Sequence, residues 1–157
     1  MSDWPTPPAG WDVASLTELF ASDPDDVGDV DVEVPTGSDV LQITLKERGN
    51  LIVSAVASGD QVQCSVLLIE ADAVPERAAF ERTLLSVHKL IPLSNFGLTI
   101  VDGAEWYELF GRLSSRSASA DVVEEVAVLA DNARNAAEWI AEWVAAGGDQ
   151  SRIGELA

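Results

Sequence analysis

PERAAFERTLLSVHKLIPLSNFGLTIV, residues 75–101, is the stretch whose reading decides the fold. Pro75 suits the first helical position, where its missing N–H costs nothing, and Glu76 complements the positive end of the helix dipole. Phe80, Leu84, Val87 and Ile91 recur at helical spacing, which predicts a helix of about five turns with one buried stripe. His88 and Lys89 fall in its last turn beside the exposed carbonyls, Pro92 stops it, and Leu98–Val101 reads as a strand. A helix placed between two groups of strands is expected to lay its stripe across both.

Upstream the hydrophobic period is two. Val30, Val32 and Val34, then Leu41, Ile43 and Leu45, then Leu51, Val53 and Ala55, then Val62, Cys64, Val66 and Leu68 alternate with polar residues and predict four strands. Gly49-Asn50 and Gly59-Asp60 supply positive φ, so strands two to four are expected as an antiparallel meander with two-residue connections. Residues 35–39 form a longer turn joining the first strand. Before the meander, Asp12 is a good N-cap for a helix whose inward stripe is Leu16, Leu19 and Phe20, with Trp11 stapling onto Leu16. Residues 1–10, rich in Pro and lacking periodicity, read as a loose arm.

Downstream, Asp102-Gly103 is the strongest short hairpin signal and joins Leu98–Val101 to a strand over Ala104–Leu113. Both faces of that hairpin carry large apolar groups, so each is expected to be covered, by a helix on one side and by another chain or the C-terminal helix on the other. Residues 114–119 read as a polar linker. The final helix is expected from Asp121, as N-cap, to Gly147-Gly148, with Val122, Val126, Leu129, Ala133, Ala136, Ile140 and Trp143 at heptad spacing. Trp139 and Trp143, one turn apart, either finish the core or meet a partner. The fold class is therefore α+β: a single domain over residues 11–147, with 148–157 as a flexible tail. Its antiparallel sheet, the four-strand meander plus a C-terminal hairpin, is covered by an N-terminal, a central and a long C-terminal helix.

Charge and composition narrow the chemistry. Among 157 residues, 27 acidic against 9 basic side chains give a net charge of −18, which repels phosphate backbones and anionic lipid. No nucleic-acid partner is expected. No run approaches the ~18 apolar residues of a membrane span and no leader pattern opens the sequence, so a cytoplasmic protein without a transmembrane segment is expected. Cys64, the only cysteine, reads as a small core residue.

The usual local marks of nucleotide, α/β-hydrolase and zincin sites are absent, and one His with one Cys staffs few triads. Asp23, Asp25 and Gly28 match positions of a calcium loop, but Val27 and Val34 stand where ligands are required, so 23–31 reads as a solvated loop. No catalytic, cofactor-binding or metal-ligating residue is assigned and no cofactor is implied. What stands out is the bend from His88 to Gly97. A helix end, a proline stop and a Ser-Asn-x-Gly turn gather Lys89, Ser94 and Asn95 on a surface short of positive charge.

At this bend the chain resembles the YjfI-like bacterial proteins, a domain of unknown function. The carriers are His88-Lys89-x-x-Pro92-Leu93-Ser94-x-x-Gly97, the opening Trp11 to Phe20, and Trp106-Tyr107 to Leu113-Ser114, over about residues 11–144. The resemblance implies no activity. It implies, through gene neighbourhood, a phage-shock-protein-A-like membrane-remodelling partner in envelope stress. The order helix, meander, helix, hairpin, helix also looks like type III secretion chaperones and their YbjN-like relatives, homodimers that bind extended segments of other proteins. An extra strand before the meander departs from that pattern.

The expectation from sequence is a non-enzymatic, acidic, chaperone- or adaptor-like protein-binding module, a homodimer. Its expected interaction residues are His88, Lys89, Pro92, Ser94, Asn95, Gly97, Trp139 and Trp143. The alternative is a small-ligand sensor or enzyme using the His88 to Gly97 bend, which a deep pocket lined by His88, Lys89, Ser94 and Asn95 would favour.

Overall fold

The computed structural model describes residues 4–149. Helix α1 (Val13–Ala21) precedes strands β1 (Val30–Glu33), β2 (Leu41–Leu45), β3 (Leu51–Ser58) and β4 (Gln61–Glu70). Helix α2 (Arg77–Val87), strands β5 (Asn95–Val101) and β6 (Ala104–Ser114) and the long helix α3 (Ser119–Ala145) follow. All strand pairs are antiparallel, in one six-stranded sheet of order β1-β2-β3-β4-β6-β5. The α+β architecture is the one the periodicities predict. The two expected groups of strands are one sheet, sewn together by the β4–β6 pairing from Gln61↔Ser114 to Glu70↔Trp106.

The alternation puts Leu41, Ile43, Leu45, Val53, Ala55, Val62, Cys64, Val66 and Leu109 on one buried face. α1 closes that face at the β1–β3 side, and α3 runs over β3, β4 and β6. The first half of α3 belongs to the larger core cluster; Trp139, Ile140 and Trp143 belong to a second, with Phe80, Leu84 and Tyr107. α3 is therefore the element that bridges the two halves, and α2 packs on the second cluster alone. Ala127, Ala130, Ala133 and Ala136 are all buried, as small side chains at a close helix–sheet contact would be. On the opposite face no helix covers Ile52 and Leu67, which stay 49% and 43% exposed. Of the two expected second covers of the hairpin, the C-terminal helix does not lie on this face, where Trp106 and Phe110 are only half-buried.

Local chemistry explains most boundaries. Asp12 caps α1 in a full capping box with Ser15, and the Ser15 backbone N–H it accepts holds its carboxyl below the usual range. Asp102 and Gly103 both take positive φ, the sign pattern of a type I′ hairpin, whereas at Gly59-Asp60 only the glycine does. The β2–β3 connection is longer than expected: a 3₁₀ turn over Lys46–Arg48 precedes Gly49-Asn50. That turn brings Lys46 to Asp29 and Asp31, and Arg48 to Asp131.

α2 departs most from expectation. It starts at Arg77, after Glu76 in the left-handed region (φ 52°), so Pro75 is not its first residue. Trp143 Nε1 donates to the Pro75 carbonyl at 2.8 Å, a tertiary contact that outranks the local helix signal. After Val87 the chain tightens into a 3₁₀ turn, His88–Leu90, and Ile91 is extended, as a residue before proline prefers. Phe80 and Leu84 are buried, but Val87 and Ile91 are only half-buried. α3 begins two residues before Asp121, with Ala118 at the N-cap and Asp121 in the first turn.

Of the expected arm, the part from Trp4 packs against the protein: Trp11 Nε1 and Thr6 Oγ1 both donate to the Ser117 carbonyl, and Trp4 touches the larger core cluster. Residues 1–3 and most of the expected tail, 150–157, lie outside the described residues.

Candidate functional site

The bend between α2 and β5 is built by three side-chain clamps. Asn132 of α3 donates to the Pro92 carbonyl at 2.8 Å and to Ser94 Oγ at 2.9 Å. Leu93 takes φ 59°, a conformation costly for a branched residue, which these bonds hold. Asn95 Nδ2 donates to the Phe110 carbonyl, which turns its Oδ1 toward His88 Nε2 at 3.0 Å. His88 Nε2 is therefore the donor, and the imidazole also meets the edge of Phe96, centroids 6.1 Å apart.

The sharp corner thus lies at Pro92-Leu93, and Asn95 and Gly97 already belong to β5. The strand starts three residues before Leu98. Gly97 faces the outer side, where an added Cβ would stand 3.0 Å from the Phe110 ring. Ser94 is 4% exposed and committed to Asn132, so it is a buried support more than a surface group.

Hollows lie on both sides of this bend. One, of about 400 Å³, opens between it and α3, lined mainly by Leu90, Ile91, Pro92, Phe96, Asn132 and Trp139. The other, of about 370 Å³, is lined by His88, Lys89, Ser94 and Asn95, with Leu93, Ile91, Arg112 and Glu125. Glu125 and Arg112 were not singled out by sequence reasoning. Glu125 carried a readable signal: it sits among Val122, Val126 and Leu129 on the buried stripe, where a charge is out of place. Burial, then Glu124, pushes its carboxyl up from the usual range. Cys64, fully buried and paired with Gly111 across the sheet, has its thiol pushed up to about 12 by burial, then by Glu125. It is packing, as expected.

Trp139 and Trp143 are core. They are 7% and 1% exposed; Phe80 stacks on Trp139 at 5.2 Å and meets Trp143 edge-on at 5.4 Å. Trp139 also lines the first hollow, beside Leu90, Pro92 and Phe96. The exposed apolar groups lie nearby: Leu85 and Leu90 at 75% and 73%, and Leu98 and Ile100 on β5 at 48% and 71%. Tyr107, below them, donates to Glu81 at 2.8 Å and accepts from Arg77, which also pairs with Glu105. Burial, then the bond to Glu81, raises the tyrosine above its ordinary value. These polar links tie α2 to β6 behind the open strand.

The acidic 23–31 loop is held by its own bonds. Asp23 Oδ1 accepts the Val30 N–H, Arg48 donates to the Asp26 and Val27 carbonyls, and Val27 is fully buried. Among the described residues no group of three or more His, Cys, Asp or Glu is placed to hold a metal. No helix there is long and apolar enough to cross a membrane.

Known proteins resemble this chain in fold or in sequence. The crystal structure of Escherichia coli YbjN, a candidate transcription regulator, superposes with a TM-score of 0.52 at 14% identity, covering 78% of this chain and 92% of that one. That likeness is one of fold. The uncharacterised protein YjfI is 26% identical over 133 residues in both E. coli K12 and O157:H7, 85% of this chain and 97% of the relative. A model of uncharacterised proteins conserved in bacteria matches residues 10–144, and the chain belongs to that family, DUF2170.

Proposed function

We propose that this protein is a non-catalytic adaptor- or chaperone-like module that binds an extended segment of another polypeptide along the free edge of β5. The observation that carries this reading is the edge itself. Asn95–Val101 holds seven residues without a charge or a proline, its outward N–H and C=O row has no strand partner among the described residues, and Leu98 and Ile100 stand exposed, as does Leu85. Such an edge templates a further strand: the main chain gives affinity, and alternate side chains seat in the apolar strip. Without a client, a second copy of the chain fills it, giving a homodimer of two β5 strands. The protein acts in the cytoplasm, and the gene-neighbourhood association makes a phage-shock-protein-A-like membrane-stress protein the first client to try.

Light scattering at tens of micromolar tests the self-association. A dimer that becomes a monomer on Ile100→Lys supports the reading; a monomer in both proteins sinks the homodimer. Pull-down of a phage-shock-protein-A-like protein by wild type but not by Leu98→Lys tests the client.

The cavity against His88, Lys89, Ser94 and Asn95 favours a second reading, that the bend senses a small ligand.

A further inference from the structure

We propose that the notch between the bend and the free end of β6 binds an organic cation, a guanidinium or primary ammonium head, with the Glu125 carboxylate as anchor. The inference deepens the sensor reading of the bend and is independent of strand addition at β5. β5 begins at Asn95, opposite Phe110, so β6 runs on from Gly111 to Ser114 with no strand on that side among the described residues. The notch of about 370 Å³ opens there. Glu125 reaches it from α3. Its residue is 6% exposed, and its Oε1 is buried without a hydrogen-bond partner among the described residues.

Position 111 is bare for this carboxylate: a Cβ on Gly111 would collide with Glu125 Oε1 and crowd the Leu93 carbonyl. Across the strand pair lies only Cys64, a weak donor. Left alone, such a buried carboxyl takes up a proton; held as a carboxylate it is an unfinished half of an ion pair, completed by a group that brings N–H donors and positive charge.

Lys89 and Arg112 also line the notch, and they raise the opposite possibility of an anion site. Burial decides between them. Both cations are exposed and screened by water and salt, whereas the Glu125 carboxylate is not. Arg112 is further engaged on the other face of the sheet, donating from Nε to Gln63 at 3.0 Å and lying 5.9 Å over Phe110. Glu124, beside Glu125, adds to the negative field, as does the net charge of −18. The head group comes either from a free amine or guanidine, or from an Arg or Lys side chain of a polypeptide laid along the open end of β6.

The probes are agmatine, a short Arg-containing peptide with its citrulline counterpart, and inorganic phosphate, titrated calorimetrically into wild type, Glu125→Gln and Lys89→Met. Thermal melts confirm that both variants fold. Wild type is expected to bind agmatine or the Arg peptide, with the citrulline peptide much weaker. Glu125→Gln should weaken binding by about tenfold or more, and Lys89→Met should leave it unchanged or tighter. Binding of the peptide alone assigns the polypeptide source; binding of agmatine assigns the free ligand. Equal cation binding by wild type and Glu125→Gln overturns the anchor but leaves a sensor at the bend. Phosphate binding that Lys89→Met abolishes makes the notch an anion site. No binding by any probe overturns both.

Discussion

Among the described residues the sheet has two free edges, and they are built on opposite plans. β1 is four residues long, Val-Asp-Val-Glu, with Asp31 and Glu33 on its outer face, Lys46 bridging Asp29 and Asp31, and Pro35 just beyond it. Short length, charge and a nearby proline are how proteins keep an edge from pairing with another chain. β5 is seven residues long and uncharged, and Leu98 and Ile100 remain exposed although they share the core-facing side with Tyr107. The same sequence that guards one edge leaves the other open, so the open edge is a feature to explain and the apolar surplus has a place. The core behind β1 is complete, with Leu41, Ile43 and Leu45 fully buried. The core behind β5 ends in exposed leucines.

The largest test of this contrast removes the platform under β5. Trp143 fills the second cluster and ties α3 to Pro75, so Trp143→Ala should cost about 3–5 kcal/mol of unfolding free energy in a denaturant titration. A loss under about 1 kcal/mol would mean that the β5 end is not a packed unit. Gly111→Ala should come next, at about 1–3 kcal/mol, because the new methyl meets the Glu125 carboxylate and the Leu93 carbonyl. Its effect is best read with Glu125→Ala in a double-mutant cycle, where the penalty should shrink. On the guarded side, Asp12→Ala strips the cap from the helix behind β1 and should cost about 1 kcal/mol by the same titration. The smallest stability changes, within about 0.5 kcal/mol, belong to the edges themselves. Leu98→Lys and Ile100→Lys should leave the melt of the dilute, monomeric protein alone and abolish association, whereas Asp31→Val with Glu33→Val should create association at β1.

Most of the fold was legible because its signals are local. Period-two runs give β1 to β4, Asp102-Gly103 gives the hairpin, and the buried stripe of α3 contains every residue from Val122 to Trp143 that heptad spacing names. What could not be read depends on distant contacts. The β4–β6 seam carries no sequence mark, and the start of α2 is moved by a hydrogen bond from Trp143, 68 residues away. The bend does bring Lys89, Ser94 and Asn95 to one hollow, but the His88–Asn95 contact had no sequence mark, and Ser94 is turned inward by Asn132, which only the packing of α3 explains. Trp139 and Trp143 suit the core better than an interface in the sequence, and both are buried against Phe80, Trp139 stacked and Trp143 edge-on. Glu125 was the charge within an apolar stripe whose meaning needed Gly111 opposite it.

The claim at the centre is that β5 is the edge that accepts another strand. Amide hydrogen exchange of the wild-type protein, followed from dilute solution to tens of micromolar, reports on both edges at once. Protection that grows with concentration across Asn95–Val101 and leaves Val30–Glu33 unchanged is the predicted result; exchange in β5 that ignores concentration, or protection that appears at β1 instead, would contradict it.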